Sequence, residues 1–97
     1  MLNHVVLLSF KESTTEEVIA DITTSLTALA PKIPTVRNFS VNADLGLAEG
    51  NSQMIILAEF DDLAGYELYR DHPAHQFVIK EKIMAELSHR AAVQYSS

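Results

Sequence analysis

The chain has 97 residues, 47% hydrophobic and 21% charged, proportions that suit one folded domain over residues 1–97 and exclude a disordered or membrane-embedded composition. Thirteen acidic against seven basic side chains give a formal charge of −6, which repels nucleic-acid phosphate and anionic lipid, so neither nucleic acid nor a membrane is an expected partner. The absence of cysteine removes disulfides, thiolate catalysis and sulfur-ligated metals. Along the chain, Leu2 to Lys11 is short and rich in branched apolar residues and reads as a strand. The run Val5 to Leu8 inside it is too short for a signal-peptide core or a membrane span, which points to a cytoplasmic protein. A helix follows: Ser13 with Glu16 and Thr14 with Glu17 fit capping boxes, Val18, Ile22, Leu26 and Leu29 recur at helical spacing, and Pro31 and Pro34 stop it. Val36 to Asp44 alternates as a half-exposed strand, with Arg37, Phe39, Val41 and Ala43 assigned to one face and Asn38, Ser40 and Asn42 to the other. Leu45 to Gln53, with Gly46 and Gly50, is a loop leading to a third strand, Met54 to Phe60. Asp61 or Asp62 caps a second helix that breaks at Pro73 and resumes with Ile79, Ile83, Met84 and Leu87 on one face, before a last strand from Ala91 to Tyr95.

The order βαββαβ predicts an α+β, ferredoxin-like fold in which four antiparallel strands carry both helices on one face. The first and third strands are apolar on both faces, whereas a sheet covered on one side normally turns polar residues to water on the other. The same face of a second copy would cover it, so the expected assembly is a homodimer, a dimeric α/β barrel.

Tyr69-Arg70-Asp71-His72-Pro73-Ala74-His75 gathers three proton-handling side chains around one proline. Proline cannot sit inside a helix and biases its predecessor away from helical dihedrals, so one helix should stop near Asp71 and another begin at Pro73. His75 then opens a helix, where the partial positive charge of the backbone disfavours an imidazolium and leaves a neutral ring able to act as a base. His4 alternates in phase with Val6, Leu8 and Phe10 and should point inward with them.

Three stretches, Leu2-Asn3-His4-Val5-Val6-Leu7-Leu8-Ser9-Phe10-Lys11, Tyr69 with His72-Pro73-Ala74-His75, and Arg90-Ala91-Ala92-Val93-Gln94-Tyr95, together make the chain resemble the stress-responsive dimeric α/β-barrel (Dabb) family over essentially its whole length. The resemblance implies the ferredoxin-like dimer. One member, olivetolic acid cyclase, is a cofactor-free polyketide cyclase that closes a ring by aldol condensation with a tyrosine and a histidine; the resemblance implies those places for Tyr69 and His75. It also matches that cyclase's strand-one histidine to His4 and the first histidine of the proline motif to His72. A strand-three histidine of that cyclase falls near Met54, where this sequence departs from it.

Aldol chemistry needs a base next to a carbonyl and a donor for the oxygen charge that develops, which His75 and Tyr69 would supply with His4 steadying them. The structural alternatives are that His75 and Tyr69 only fix a bend, that His4 is a satisfied core histidine, and that His72 bonds to backbone at the helix break. The His72-x-x-His75 spacing with His4 is a weak metal signal, and no metal is expected. Gly46, Gly50 and Gly65 make no nucleotide fingerprint, so no cofactor is expected. Tyr66, Tyr69, Phe77 and Met84 at helical spacing read as core, and His89 as surface. Two classes of function follow: a cofactor-independent cyclase, lyase or isomerase for a small hydrophobic carbonyl compound, with a cofactor-free monooxygenase as a variant, or a non-catalytic ligand-binding or stress-protective dimer.

Overall fold

A computed structural model describes all residues from Met1 to Ser97. Four strands form one antiparallel sheet: β1 (Leu2–Phe10), β2 (Val36–Ala43), β3 (Met54–Phe60) and β4 (Leu87–Ser96), in the spatial order β2-β3-β1-β4. Helices α1 (Glu16–Thr27), α2 (Leu63–Asp71) and α3 (Pro73–Val78) lie on one face. This is the ferredoxin-like arrangement expected from the sequence. The inward positions Val6, Leu8 and Phe10 of β1 and Met54, Ile56, Ala58 and Phe60 of β3 pack against Ile22, Leu26 and Leu29, forming the core.

The helix ends follow from side chains that satisfy otherwise unpaired backbone N–H groups. Asp62 caps α2 by accepting from the Gly65 amide at 2.8 Å. The cap of α1 is Thr15, which accepts from the Val18 amide, rather than either capping box expected at Ser13 or Thr14. Thr14 is drawn elsewhere: its hydroxyl donates to the Glu86 carboxylate at 3.0 Å, a tie across the fold that local sequence does not encode. Asp62→Ala should lower stability by about 1 kcal/mol in urea unfolding, because the Gly65 amide loses its partner at a half-buried site.

Three further expectations are corrected. A bulge between Val36 and Asn38 shifts the phase of β2, so Arg37 does not share a face with Phe39 and Val41 but is thrown outward, where it pairs with Asp61 at 2.8 Å. After α3 the chain does not resume an ordinary helix: a π-helical turn spans Ile79–Ile83 and a 3₁₀ turn Met84–Glu86, while Leu87 already belongs to β4. Lys82 anchors the π turn to α1 through Asp21 and Ser25, each at 2.9 Å. Phe77 and Met84, expected in the core, are exposed: the break at Pro73 and the π turn interrupt the helical spacing that linked them to Tyr66 and Tyr69.

The other sheet face carries no helix. Val5 and Leu7, Ile55 and Leu57, and Ala91 and Val93 stand in register across three adjacent strands, leaving Leu57 40% and Val93 56% exposed. Such a continuous apolar strip is unusual for a sheet face left to water.

Candidate functional site

The helix break positions the site. α2 ends at Asp71 and α3 starts at Pro73, with His72 in extended backbone between them, as the proline requires. His72 closes the break: its Nδ1 accepts from the Ala74 amide at 3.1 Å, which makes it the N-cap of α3. The break also frees the Arg70 carbonyl from helical pairing, and His75 Nδ1 at 3.1 Å and Gln76 Nε2 at 2.6 Å both bond to it. His75 is therefore fixed at the first turn of α3 with its ring folded back over α2. There it stacks on Tyr69, ring centroids 4.1 Å apart and planes 29° from parallel.

The proton on His75 can be assigned. A carbonyl only accepts, so Nδ1 carries the hydrogen that bonds to Arg70, and in the neutral ring Nε2 keeps a free lone pair. The ring is neutral at pH 7 because burial lowers its pKa below the usual value of 6.5, outweighing the Arg70 and Tyr69 carbonyls, which favour the imidazolium. Burial, rather than the helix start invoked from the sequence, is the main cause.

Tyr69 is only 2% exposed and packs against Phe60 and Phe39 as well as His75. Its hydroxyl makes no hydrogen bond within the chain, yet no buried side-chain oxygen is sealed without a partner. The hydroxyl therefore keeps part of the little surface Tyr69 retains, opening into the cavity that this residue lines. Burial, with the nearby Tyr66, raises its pKa well above 10, so the phenol stays protonated and serves as a donor.

His4 enters from β1, 5% exposed, its ring centroid 6.1 Å from that of Tyr69 and 5.1 Å from that of Tyr66. Gln94, its cross-strand neighbour on β4, bonds to Nδ1 at 2.8 Å. With the amide nitrogen donating, His4 carries its own hydrogen on Nε2. Its pKa is lowered to about 4, first by burial, then by the positive charge of Arg90 and by repulsion from His75 once that ring is itself protonated. The linkage has a definite sign. An unfolded histidine binds protons below about 6.5 and the folded one resists until about 4, so stability falls as pH drops through that window, by roughly 3 kcal/mol for a group this buried. His4→Gln should flatten the decline in urea midpoint between pH 6.5 and 4. In the same spirit, His72→Ala should cost about 1 kcal/mol of stability and His72→Asn should restore it, since both histidine and asparagine can cap α3.

A cavity of about 450 Å³ opens between the sheet and the helices, lined by His4, Tyr66, Tyr69 and His75 and walled with apolar side chains such as Leu8, Ile56 and Ile83. Three of the four residues singled out from the sequence, His4, Tyr69 and His75, thus converge on one space, while His72 is turned to backbone at its edge. The three imidazoles of His4, His72 and His75 do not form a group that could hold a metal ion. Met54 packs in the core and does not line this cavity. Tyr66 and Arg90, which line the cavity, and Gln94, which joins the site by holding His4, were not identified from the sequence; Arg90 and Gln94 sit on β4, and the only local signal for them was their place on its inward-facing alternate positions.

The stress responsive A/B barrel domain model matches residues 2–97. The chain belongs to the Dabb family. This Dabb protein superposes on a dimeric ferredoxin-like protein of unknown function from Thermobifida fusca with a TM-score of 0.91 and 32% identity, covering 99% of this chain and 90% of the other. A dimeric ferredoxin-like protein of unknown function from Bacteroides fragilis gives a TM-score of 0.85 at 27% identity, covering 99% and 95%. The hydroxynitrile lyase of Passiflora edulis has the same fold, with a TM-score of 0.86 at 16% identity over 97% of this chain and 90% of that enzyme. A comparison with curated proteins gave no match.

Proposed function

We propose that this Dabb protein is a homodimeric, cofactor-independent catalyst of proton transfer beside a ketone carbonyl, of the cyclase or lyase type and related in chemistry to olivetolic acid cyclase. The observation that carries the reading is the stacked His75–Tyr69 pair: a neutral imidazole whose Nδ1 hydrogen is held by backbone, against a protonated phenol with no partner inside the chain. In the proposed step His75 Nε2 takes a proton from the carbon next to the carbonyl, the C–H electron pair forms the C=C bond of the enolate while the carbonyl π pair moves onto oxygen, and the Tyr69 hydroxyl donates to that oxygen. For ring closure the enolate carbon attacks a second carbonyl, and the proton on His75 passes to the new alkoxide. The apolar walls favour a hydrophobic substrate and strengthen the hydrogen bond to the enolate by excluding water.

The dimer is supported by the bare apolar strip on β1, β3 and β4 and by the dimeric T. fusca and B. fragilis relatives. Benzylacetone, a neutral methyl ketone with an apolar ring, is a suitable first probe. In D₂O at pH 7 the protein should speed deuterium incorporation beside its carbonyl, followed by proton NMR. Saturable binding without added exchange would instead favour the ligand-binding reading.

A further inference from the structure

The charged lining of the cavity is one-sided. It includes Arg70 and Arg90 and no aspartate or glutamate, in a chain whose net charge is −6. Arg70 is already committed: Nε and one Nη donate to the two Asp71 carboxylate oxygens, each at 2.9 Å, with Glu67 nearby. Arg90 makes no ion pair, the four in the molecule all involving Arg37, Arg70 or Lys82. It stands on β4 opposite Leu8, on the face turned towards the helices, and Gln94 stands on the same face opposite His4. The four-residue step between those cross-strand pairs makes the two ends of the site about 13 Å apart along the strand. His4 with Tyr69 marks one end and the root of Arg90 the other, and the long arginine side chain can lean back over Ala92, the small residue between. The guanidinium is near enough to act electrostatically on His4, Tyr69 and His75 alike.

An unpaired guanidinium beside an apolar cavity that holds no carboxylate is a receptor for one, because the planar fork of N–H donors matches a carboxylate and because partial exclusion of water strengthens the pair. Resting on the carbonyl reading above and narrowing its substrate class, we propose that the site takes keto acids: Arg90 binds a carboxylate while the ketone lies at Tyr69 and His75. Arg90 is a specificity residue and takes no part in the proton transfer.

The test uses a matched pair, 3-benzoylpropionate and 3-benzoylpropionamide, which share shape and ketone and differ in charge. Isothermal titration should give the carboxylate about 10- to 100-fold tighter binding, the range of a charge-assisted hydrogen bond, with the advantage shrinking as NaCl is raised. Arg90→Gln should reduce the preference to less than about threefold and Arg90→Lys should keep a part of it; both should stay folded, since Arg90 is exposed and unpaired. Equal binding of the two probes by the wild-type protein, binding of neither at millimolar concentration, or a preference that survives in Arg90→Gln would overturn the proposal. Deuterium exchange is read separately. A preference that depends on Arg90 without any exchange upholds the keto-acid site and rejects the catalytic reading, whereas exchange of both probes with no Arg90 dependence does the reverse.

Discussion

His75→Ala is expected to lower the rate of deuterium exchange into a bound ketone by about 100-fold or more, the usual worth of a positioned general base. Tyr69→Phe should produce a loss of similar size by a different route, since it removes the donor that meets the enolate oxygen while keeping the aromatic ring. The pair can be separated from a structural role by stability. The Tyr69 hydroxyl has no partner in the chain, so its removal strands nothing, and Tyr69→Phe should melt within about 0.5 kcal/mol of wild type. A variant that loses activity and stability together would show that the ring stack serves folding. The pH profile gives a second check. With His75 held neutral by burial, its base form is lost only below the usual histidine value of 6.5, and the Tyr69 donor is held protonated beyond pH 10. The rate should rise through the acid range, level off by about pH 7 and show no falling limb up to pH 10. A limb centred between pH 7 and 9 would assign the base to another group.

Leu57→Lys should convert the proposed dimer to a monomer at micromolar concentration. Leu57 lies in the middle of the uncovered face, beside Val5 on β1, and is 40% exposed in the single chain. Two-fold pairing of that face would bury it twice, so one substitution introduces two unpaired charges into one interface. Each costs roughly 3 kcal/mol or more when no partner compensates it, which together weaken association by well over 1,000-fold. Sedimentation equilibrium across 1–100 µM reads the change directly. Asn38→Lys is the control, because Asn38 is exposed at the β2 edge next to Glu59, where a lysine is readily accommodated. Persistence of the dimer in Leu57→Lys would place the interface elsewhere.

The order of elements, the helix break and the inward aim of His4 were legible in the sequence because each is dictated within a few residues. Proline at 73 forbids a continuous helix whatever surrounds it, and a histidine in phase with Val6, Leu8 and Phe10 shares their direction in any strand. The apolar pattern of β1 and β3 likewise marks a second face in need of cover. What could not be read depended on partners distant along the chain. Thr14 forgoes a cap to bond Glu86, the β2 bulge that ejects Arg37 is set by pairing with β3, and Lys82 in the π turn Ile79–Ile83 reaches across to Asp21 on α1. The site divides in the same way. Tyr69 and His75 were named from a local motif, but Gln94 and Arg90 join His4 only through the register of β1 with β4, some 90 residues apart for the His4–Gln94 pair. The neutral state of His75 was expected from the helix start, yet its main cause is burial, a quantity that exists only once the sheet and helices have closed around the ring. Sequence by itself determined the order of the elements, the inward faces of β1 and β3 and the residues able to move a proton, since short-range sterics and periodicity suffice for those. Tertiary structure decided which of them share a cavity, which are left unpaired and how they are protonated, because strand register and desolvation are properties of the packed chain.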